Sequence, residues 1–459
     1  MLFNSFAFLL GFLPLAIAIG CAVDAYPRLR MWTLVLLSLA FYSYWDPRFL
    51  PLMVASIVLN WAAARWYDAT RDRHIITVAI VGNLALLGFL KYTNFLADTF
   101  TALGVPLGRL QLTLPLGISF FTFHHVMYLV DLRRGAAPLY ALDRYALYIC
   151  FFPQAIAGPI ARWSEVMHQF GARMLAAGWE RRWALGVALI VIGLVEKTVL
   201  ADPLGRLLDP VYTAAAIGPV RDGSAWLAFG FAFQVFFDFA GYSDIAIGLA
   251  LIFGVVLPQN FNAPFRATSV QDFWQRWHIT LMEFLRRYVF LPLAGIRVEG
   301  VAGRTIVFFG AMIATMALCG LWHGASWTFV LWGTINGCAI VFATLWRRYL
   351  PSPPAAVGWA LTAAIFIATS VLFRAQSLGA VWNVFAGLAD APDLGRILRN
   401  GTIVIAALCA FLLPASQRCA ERLVEQPRMA IAAMLALVCA VVLIELGEKD
   451  KYDFIYFQF

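Results

Sequence analysis

The sequence predicts an all-α polytopic membrane protein, and two observations carry that class. Of its 459 residues 62% are hydrophobic and only 13% charged, too little polar surface to cover a soluble globule. Apolar runs near the length that crosses a bilayer core, about 20 residues, recur from the first residues to Val442.

Those runs fall at about 2–22, 31–45, 49–66, 75–96, 114–130, 183–201, 224–256, 305–322, 325–346, 356–373, 401–415 and 429–446. They predict about 11–13 transmembrane helices in a single transmembrane domain over residues 1–459. The first run resembles a signal peptide, but no Lys or Arg precedes Arg28, so the charged n-region is missing and the run is expected to remain as the first span. Region 143–160 is apolar yet carries Pro153, Gly158 and Pro159. It is expected to form a re-entrant or broken helix shielded by protein.

The net charge of +8 points to no nucleic acid, because the basic residues form short clusters between apolar runs rather than a patch. They read as topology signals. With the N-terminus outside, Arg28/Arg30, Arg65/Arg71/Arg73, Arg133/Arg134, Arg173/Arg181/Arg182, Arg266 to Arg304, Arg347/Arg348 and Arg418/Arg422/Arg428 all fall on the inner side. Residues 202–222, 375–400 and the tail 447–459 then lie outside. The long inner segment 257–304 mixes Trp274, Trp277 and Phe284 with Arg276, Glu283, Arg286 and Arg287, a pattern of amphipathic helices at an interface. Seven scattered cysteines without metal-type spacing read as small core residues, and no metal site is expected.

Ionisable groups inside a membrane are costly, so each needs a partner or a purpose. His323 sits in Gly320-Leu321-Trp322-His323-Gly324 between two long apolar runs. Its small neighbours permit close approach, and a neutral imidazole accepts a proton from a hydroxyl near neutral pH; a buried structural histidine is the plainer alternative. His278, in Phe273-Trp274-Gln275-Arg276-Trp277-His278, is the second candidate, and only a fold can show whether the two converge. Asp238-Phe239-Ala240-Gly241-Tyr242-Ser243-Asp244 places two carboxylates in an apolar span. Six residues turn a helix by about 600°, so the acids would not share a face, and Gly241 suggests a break. Helix-packing polar contacts are the alternative there. Asn260 and Asn262 lie in a loop bracketed by Pro258 and Pro264, for which a structural role is expected. Glu196-Lys197 lies near the outer end of its run, where Lys197 can snorkel and the adjacent Glu196 does not face it. His124 and His125, beside Asp131, and the loop residues His74 and His168 rank lower. The sequence carries no Walker loop, dinucleotide fingerprint, HExxH or GxSxG, which removes most soluble enzyme classes and ATP-driven pumps.

As a set, Phe120-Phe121-Thr122-Phe123, Phe152-Pro153-Gln154 with Gly158-Pro159-Ile160, the Asp238–Asp244 stretch, Asn260-Phe261-Asn262, Phe273 to His278, Leu321-Trp322-His323-Gly324 and the closing Phe454 to Phe459 resemble the membrane-bound O-acyltransferase family, in its bacterial alginate O-acetyltransferase-like branch. The resemblance implies a tunnel through the membrane. An acyl thioester, acetyl-CoA in this branch, enters it from the cytoplasm and the acceptor from the other side, with no bound cofactor. It further implies that His323 is the catalytic histidine and that His278 holds the family's second polar position. His323 would be general base, with His278 or a nearby donor steadying the oxyanion. Asp238, Tyr242, Ser243, Asp244, Asn260, Asn262, Trp274, Arg276, Trp277 and Trp322 follow as candidates to line the tunnel or meet the donor.

The expected setting is the inner membrane of a bacterium, with both termini periplasmic and a periplasmic acetyltransferase or polymer-modifying partner. The chain is shorter in its C-terminal third than the alginate enzyme, which leaves the acceptor open among alginate, cellulose, peptidoglycan and other exported glycans. Two other readings compete: D-alanyl transfer to teichoic acid from a carrier-protein thioester, and a transporter with histidine proton relays. The orientation has a direct check. A cysteine placed beside Arg347 is expected to label only from the cytoplasm and one beside Gly379 only from outside; the opposite pattern would overturn it.

Overall fold

The computed structural model describes residues 1–393, 395, 398, 401–425, 429–448, 454 and 455. Arg428, Lys449, Lys451 and the closing Tyr456, Phe457, Gln458 and Phe459 lie outside the described residues. All regular structure among the described residues is helical.

The predicted apolar runs become helix, and among the described residues seven helices are long and apolar enough to cross a bilayer, or up to eight if the bent pair Gly401–Leu412 and Ser416–Glu425 is one span. Length explains the difference from the larger expected number. Pro27–Ser43 has 17 residues and Ile118–Arg133 has 16, which at about 1.5 Å per residue fall short of a core about 30 Å thick. Ala7–Ala22 is likewise short. In the other direction, helix extends from Trp179 to Ile217 and takes in most of the segment expected as an outer loop.

The chain forms two compact units. The first comprises Met1–Gly193, Tyr242–Gln259 and Ala420–Lys449. Within it Ile118–Arg133 is almost wholly buried, and His125 and Asp131 find partners inside the protein. His125 lies between Tyr145 Oη at 2.6 Å and Ser56 Oγ at 3.3 Å. Asp131 accepts from Arg162 at 2.8 Å and from the Trp163 indole at 2.9 Å. Region 143–160 is broken as expected: Leu142–Cys150 is helical, and the buried chain from Phe151 to Pro159 is not. Gln154 Nε2 donates to Tyr148 O at 2.8 Å across that break. Arg30, expected as a loop charge, is instead buried and donates to Asp24 O and Gly171 O. Burial alone would raise the Asp24 pKa, but the Met174 and Leu175 amides, Arg173 and Arg30 outweigh it and hold the carboxyl below the usual range.

The second unit comprises Leu194–Gly241, Asn260–Cys419 and Asp450–Phe459. Its frame is the antiparallel hairpin of Gly300–His323 and Trp327–Tyr349. These helices press together where they carry no side chain. A Cβ on Gly320 would collide with Phe329 O, and one on Gly333 with Met316 O. Ser326 caps the second helix, its Oγ accepting from Thr328 N at 3.2 Å. The hairpin turn therefore sets the position of His323, the last residue of the first helix.

Helix Phe231–Ile252 runs unbroken through Gly241, so the expected break is absent. Its most apolar stretch is fully buried inside the protein, as befits a helix that is hydrophobic all round.

Candidate active site

Residues 257–304 fold as a chain of short helices, Val270–Arg276, Ile279–Leu285 and Leu291–Ala294 among them. The segment does not simply lie on a surface: Phe273, Trp274, Trp277, His278 and Phe284 are all buried. Between the first two helices the chain turns at His278, whose φ of 44° and ψ of 51° put a non-glycine residue in the left-handed region. Such a conformation costs energy and persists where surrounding contacts over-determine it.

Those contacts converge on Asn260. Its Oδ1 lies 3.0 Å from His278 Nδ1, 2.9 Å from Thr280 Oγ1 and 3.4 Å from Thr280 N, while its backbone O accepts from Ile279 N at 2.9 Å. A backbone N–H only donates, so the shared atom is an acceptor and His278 Nδ1 must carry the proton. The neutral ring then presents Nε2 as an acceptor. Burial pushes the His278 pKa down to about 3, which keeps the ring neutral at physiological pH. This tautomer leaves no N–H with which His278 could steady an oxyanion.

His323 reaches the same neighbourhood from the hairpin. Its ring centroid is 6.4 Å from that of His278, 4.8 Å from Trp322, 5.5 Å from Trp332 and 5.0 Å from Phe373. Trp322 also stands 6.2 Å from His278, and Phe239 closes on the other side of that ring at 4.6 Å. His323 borders a void of about 10 Å³ formed with Trp277, Phe366, Ser370 and Phe373, room for about one water. His278 does not border it.

The remaining sequence candidates divide. Trp277 stacks on Phe273 at 5.6 Å and packs on Phe366 at 4.6 Å, and Trp274 meets Trp332 edge-on at 5.8 Å, so both build the aromatic wall. Asn262 N donates to Arg276 O at 2.9 Å, and Arg276 is itself held by Asp272 at 2.7 Å; this pair braces the loop. Tyr242, Ser243 and Asp244 are buried in the first unit, where Tyr242 stacks on Phe3 at 4.8 Å. Among these candidates, the second unit brings together His278, His323, Asn260, Trp274, Trp277 and Trp322.

Asp238 takes part in a separate network. It accepts from Lys197 Nζ at 2.5 Å and from Ile455 N at 2.9 Å, while Lys197 also reaches Asp202 at 2.8 Å. Lys197 does not snorkel: it is fully buried, with the Phe454 ring 4.4 Å from its Nζ. Two carboxylates hold the cation inside, and a π-helical turn over Glu196–Ala201 presents it to them. Sequence reasoning also missed Phe366, Ser370 and Phe373, which recur at the spacing of one helix face.

With this geometry established, comparison with known proteins decides the class. The model of the membrane-bound O-acyltransferase family matches residues 49–373. The chain belongs to that family. The matched stretch contains both histidines and their aromatic surroundings. A peptidoglycan O-acetyltransferase of Helicobacter pylori is 35% identical over 84% of this chain and 80% of its own. A probable alginate O-acetylase of Azotobacter vinelandii is 34% identical over 86% and 79%. A teichoic acid D-alanyltransferase of Streptococcus thermophilus is 29% identical over 51% and 57%. The protein is an O-acyltransferase and a multi-pass membrane protein, and the transporter reading is set aside.

Asn260 offers a test of the local geometry. Replacing it with Ala strips the acceptor from the buried donors of His278 and Thr280, a loss of about 1–3 kcal/mol for each donor left unpaired. Asn260→Ala is expected to unfold at lower temperature in detergent and Asn260→Asp, which keeps an acceptor, to stay near wild type. Equal melting of all three would show that Asn260 does not hold the turn.

Proposed function

We propose that the protein takes an acetyl group from cytoplasmic acetyl-CoA and passes it to a hydroxyl of an exported glycan, or to a periplasmic partner that completes the modification. The observation that carries the reaction is the pair of buried histidine rings 6.4 Å apart inside the stretch that matches the family model. The similarity to a peptidoglycan O-acetyltransferase and a probable alginate O-acetylase supports acetyl as the group and a polysaccharide as the acceptor. The setting is the inner membrane of a bacterium, with both termini on the periplasmic side.

In this reading His323 accepts the hydroxyl proton as the acceptor oxygen attacks the thioester carbonyl. The C–S bond then breaks, and the departing thiolate takes that proton as the free thiol. His278, fixed with Nε2 as acceptor, suits orienting a hydroxyl or water beside His323 better than stabilising negative charge. The aromatic wall of Trp322, Trp332, Phe366 and Phe373 keeps bulk water from the thioester. A void sized for about one water means that these rings must shift to admit an acetyl group.

Purified protein in detergent, given radiolabelled acetyl-CoA and a soluble glycan acceptor, is expected to transfer acetyl without any ion gradient. His323→Ala should lower that rate by about 10² to 10⁴ while melting near wild type. Near-normal transfer by the folded variant would remove His323 from the chemistry. Transfer from a D-alanyl carrier-protein thioester but not from acetyl-CoA would replace the donor.

A further inference from the structure

A second concavity lies apart from the histidines and shares no bordering residue with the His323 void. It is a groove of about 420 Å³ between helices Trp327–Tyr349 and Ala355–Arg374, floored by the start of Val270–Arg276. That volume is within the range, about 300–1,000 Å³, of pockets that take a bound molecule. Both flanking helices are long and apolar enough to span the bilayer.

The groove is graded along its length. At the inter-helix loop stand Trp346, Arg347 and Ser352; farther along both helices the borders become mainly apolar, from Phe342 and Leu361 to Ile365, with the Thr362 hydroxyl turned onto Gly358 O and Gln271 held by Ile340 O and Thr344. From Arg347 to Ala339 is two helical turns, about 12 Å at 1.5 Å per residue. Phe342 is 64% exposed and Leu361 57%. On helices of a membrane-spanning protein, that exposure opens the groove sideways to lipid.

Charge decides the occupant. Among the described residues Arg347 is the sole charged one bordering the groove. The nearby acid Asp272 is engaged by Arg276, and the ion pairs among the described residues do not include Arg347. One unneutralised guanidinium at the polar end of an apolar slot complements one phosphate attached to an acyl chain. A nucleotide carrying several phosphates would call for more cations than the groove supplies. Trp346 stands at the same end, its indole donating to Pro351 O at 3.0 Å, in the manner of interfacial anchors.

We infer that this groove is a binding site for an anionic phospholipid, with an acyl chain lying between the two helices and the phosphate on Arg347. The site stands independently of the acyl-transfer reaction, since it has its own walls and its own charge. Lipid held there would brace the helix pair whose other ends carry Trp332 and Phe373.

Native mass spectrometry of the full-length protein with phosphatidylglycerol or phosphatidylethanolamine tests it. Wild type is expected to retain phosphatidylglycerol in preference, Arg347→Gln to bind it about fivefold more weakly, and Ala343→Trp to lose it by filling the slot. Melting curves identify variants that fold; should Ala343→Trp not fold, Arg347→Gln decides alone. Unchanged phosphatidylglycerol retention by folded Arg347→Gln, equal retention of the two lipids by wild type, or displacement of lipid by free coenzyme A would each overturn the assignment. The last result would make the groove a nucleotide site.

Discussion

One acceptor atom organises the candidate site: Asn260 Oδ1 receives the proton of His278 Nδ1 and the donors of Thr280. In a buried setting every such donor needs a partner, so the asparagine does more than decorate a loop. It holds His278 in a left-handed conformation that the residue would not choose alone. It also selects the tautomer, and with it which ring nitrogen can act as an acceptor. The proline-bracketed loop and the Trp-His turn, separate in sequence, thus act as one piece of structure. His323 is fixed by different means, the tight hairpin whose helices approach at Gly320 and Gly333.

The same rule governs the second unit's buried charges. Lys197 is fully buried, and low-dielectric surroundings make an isolated ammonium prohibitively costly. Asp238 and Asp202 resolve that cost, and Asp238 also takes the Ile455 amide. Removing one partner of a buried pair typically costs about 3–5 kcal/mol, so this network is a structural keystone. Its distance from solvent argues for that role rather than for contact with a substrate.

Much of this was legible in the sequence, for reasons that differ by feature. Hydropathy reads directly as helix because the bilayer allows little else, and Pro153 with Gly158 marked the broken region. Trp322-His323-Gly324 stood out because an ionisable group between apolar runs needs a purpose. Fewer described helices reach spanning length than there are apolar runs, because a run such as 31–45 looks alike whether it forms a long helix or a shorter one. Lys197 was misjudged because its partners depend on helix pairing: Asp238 lies on another helix, beyond a loop. Gly241 suggested a break, but in a wholly buried helix it sits inside continuous helical hydrogen bonding. The tautomer of His278 was out of reach, since it follows from three distances to one oxygen.

The central claim is that His278 and His323, distant in sequence, serve one chemical step. A double-mutant cycle of His278→Ala and His323→Ala, read as the rate of acetyl transfer by folded protein, addresses it most directly, because residues acting as a unit are non-additive. The account predicts that the double variant is little slower than the slower single variant. Losses that multiply would contradict it and leave His323 to act without its neighbour.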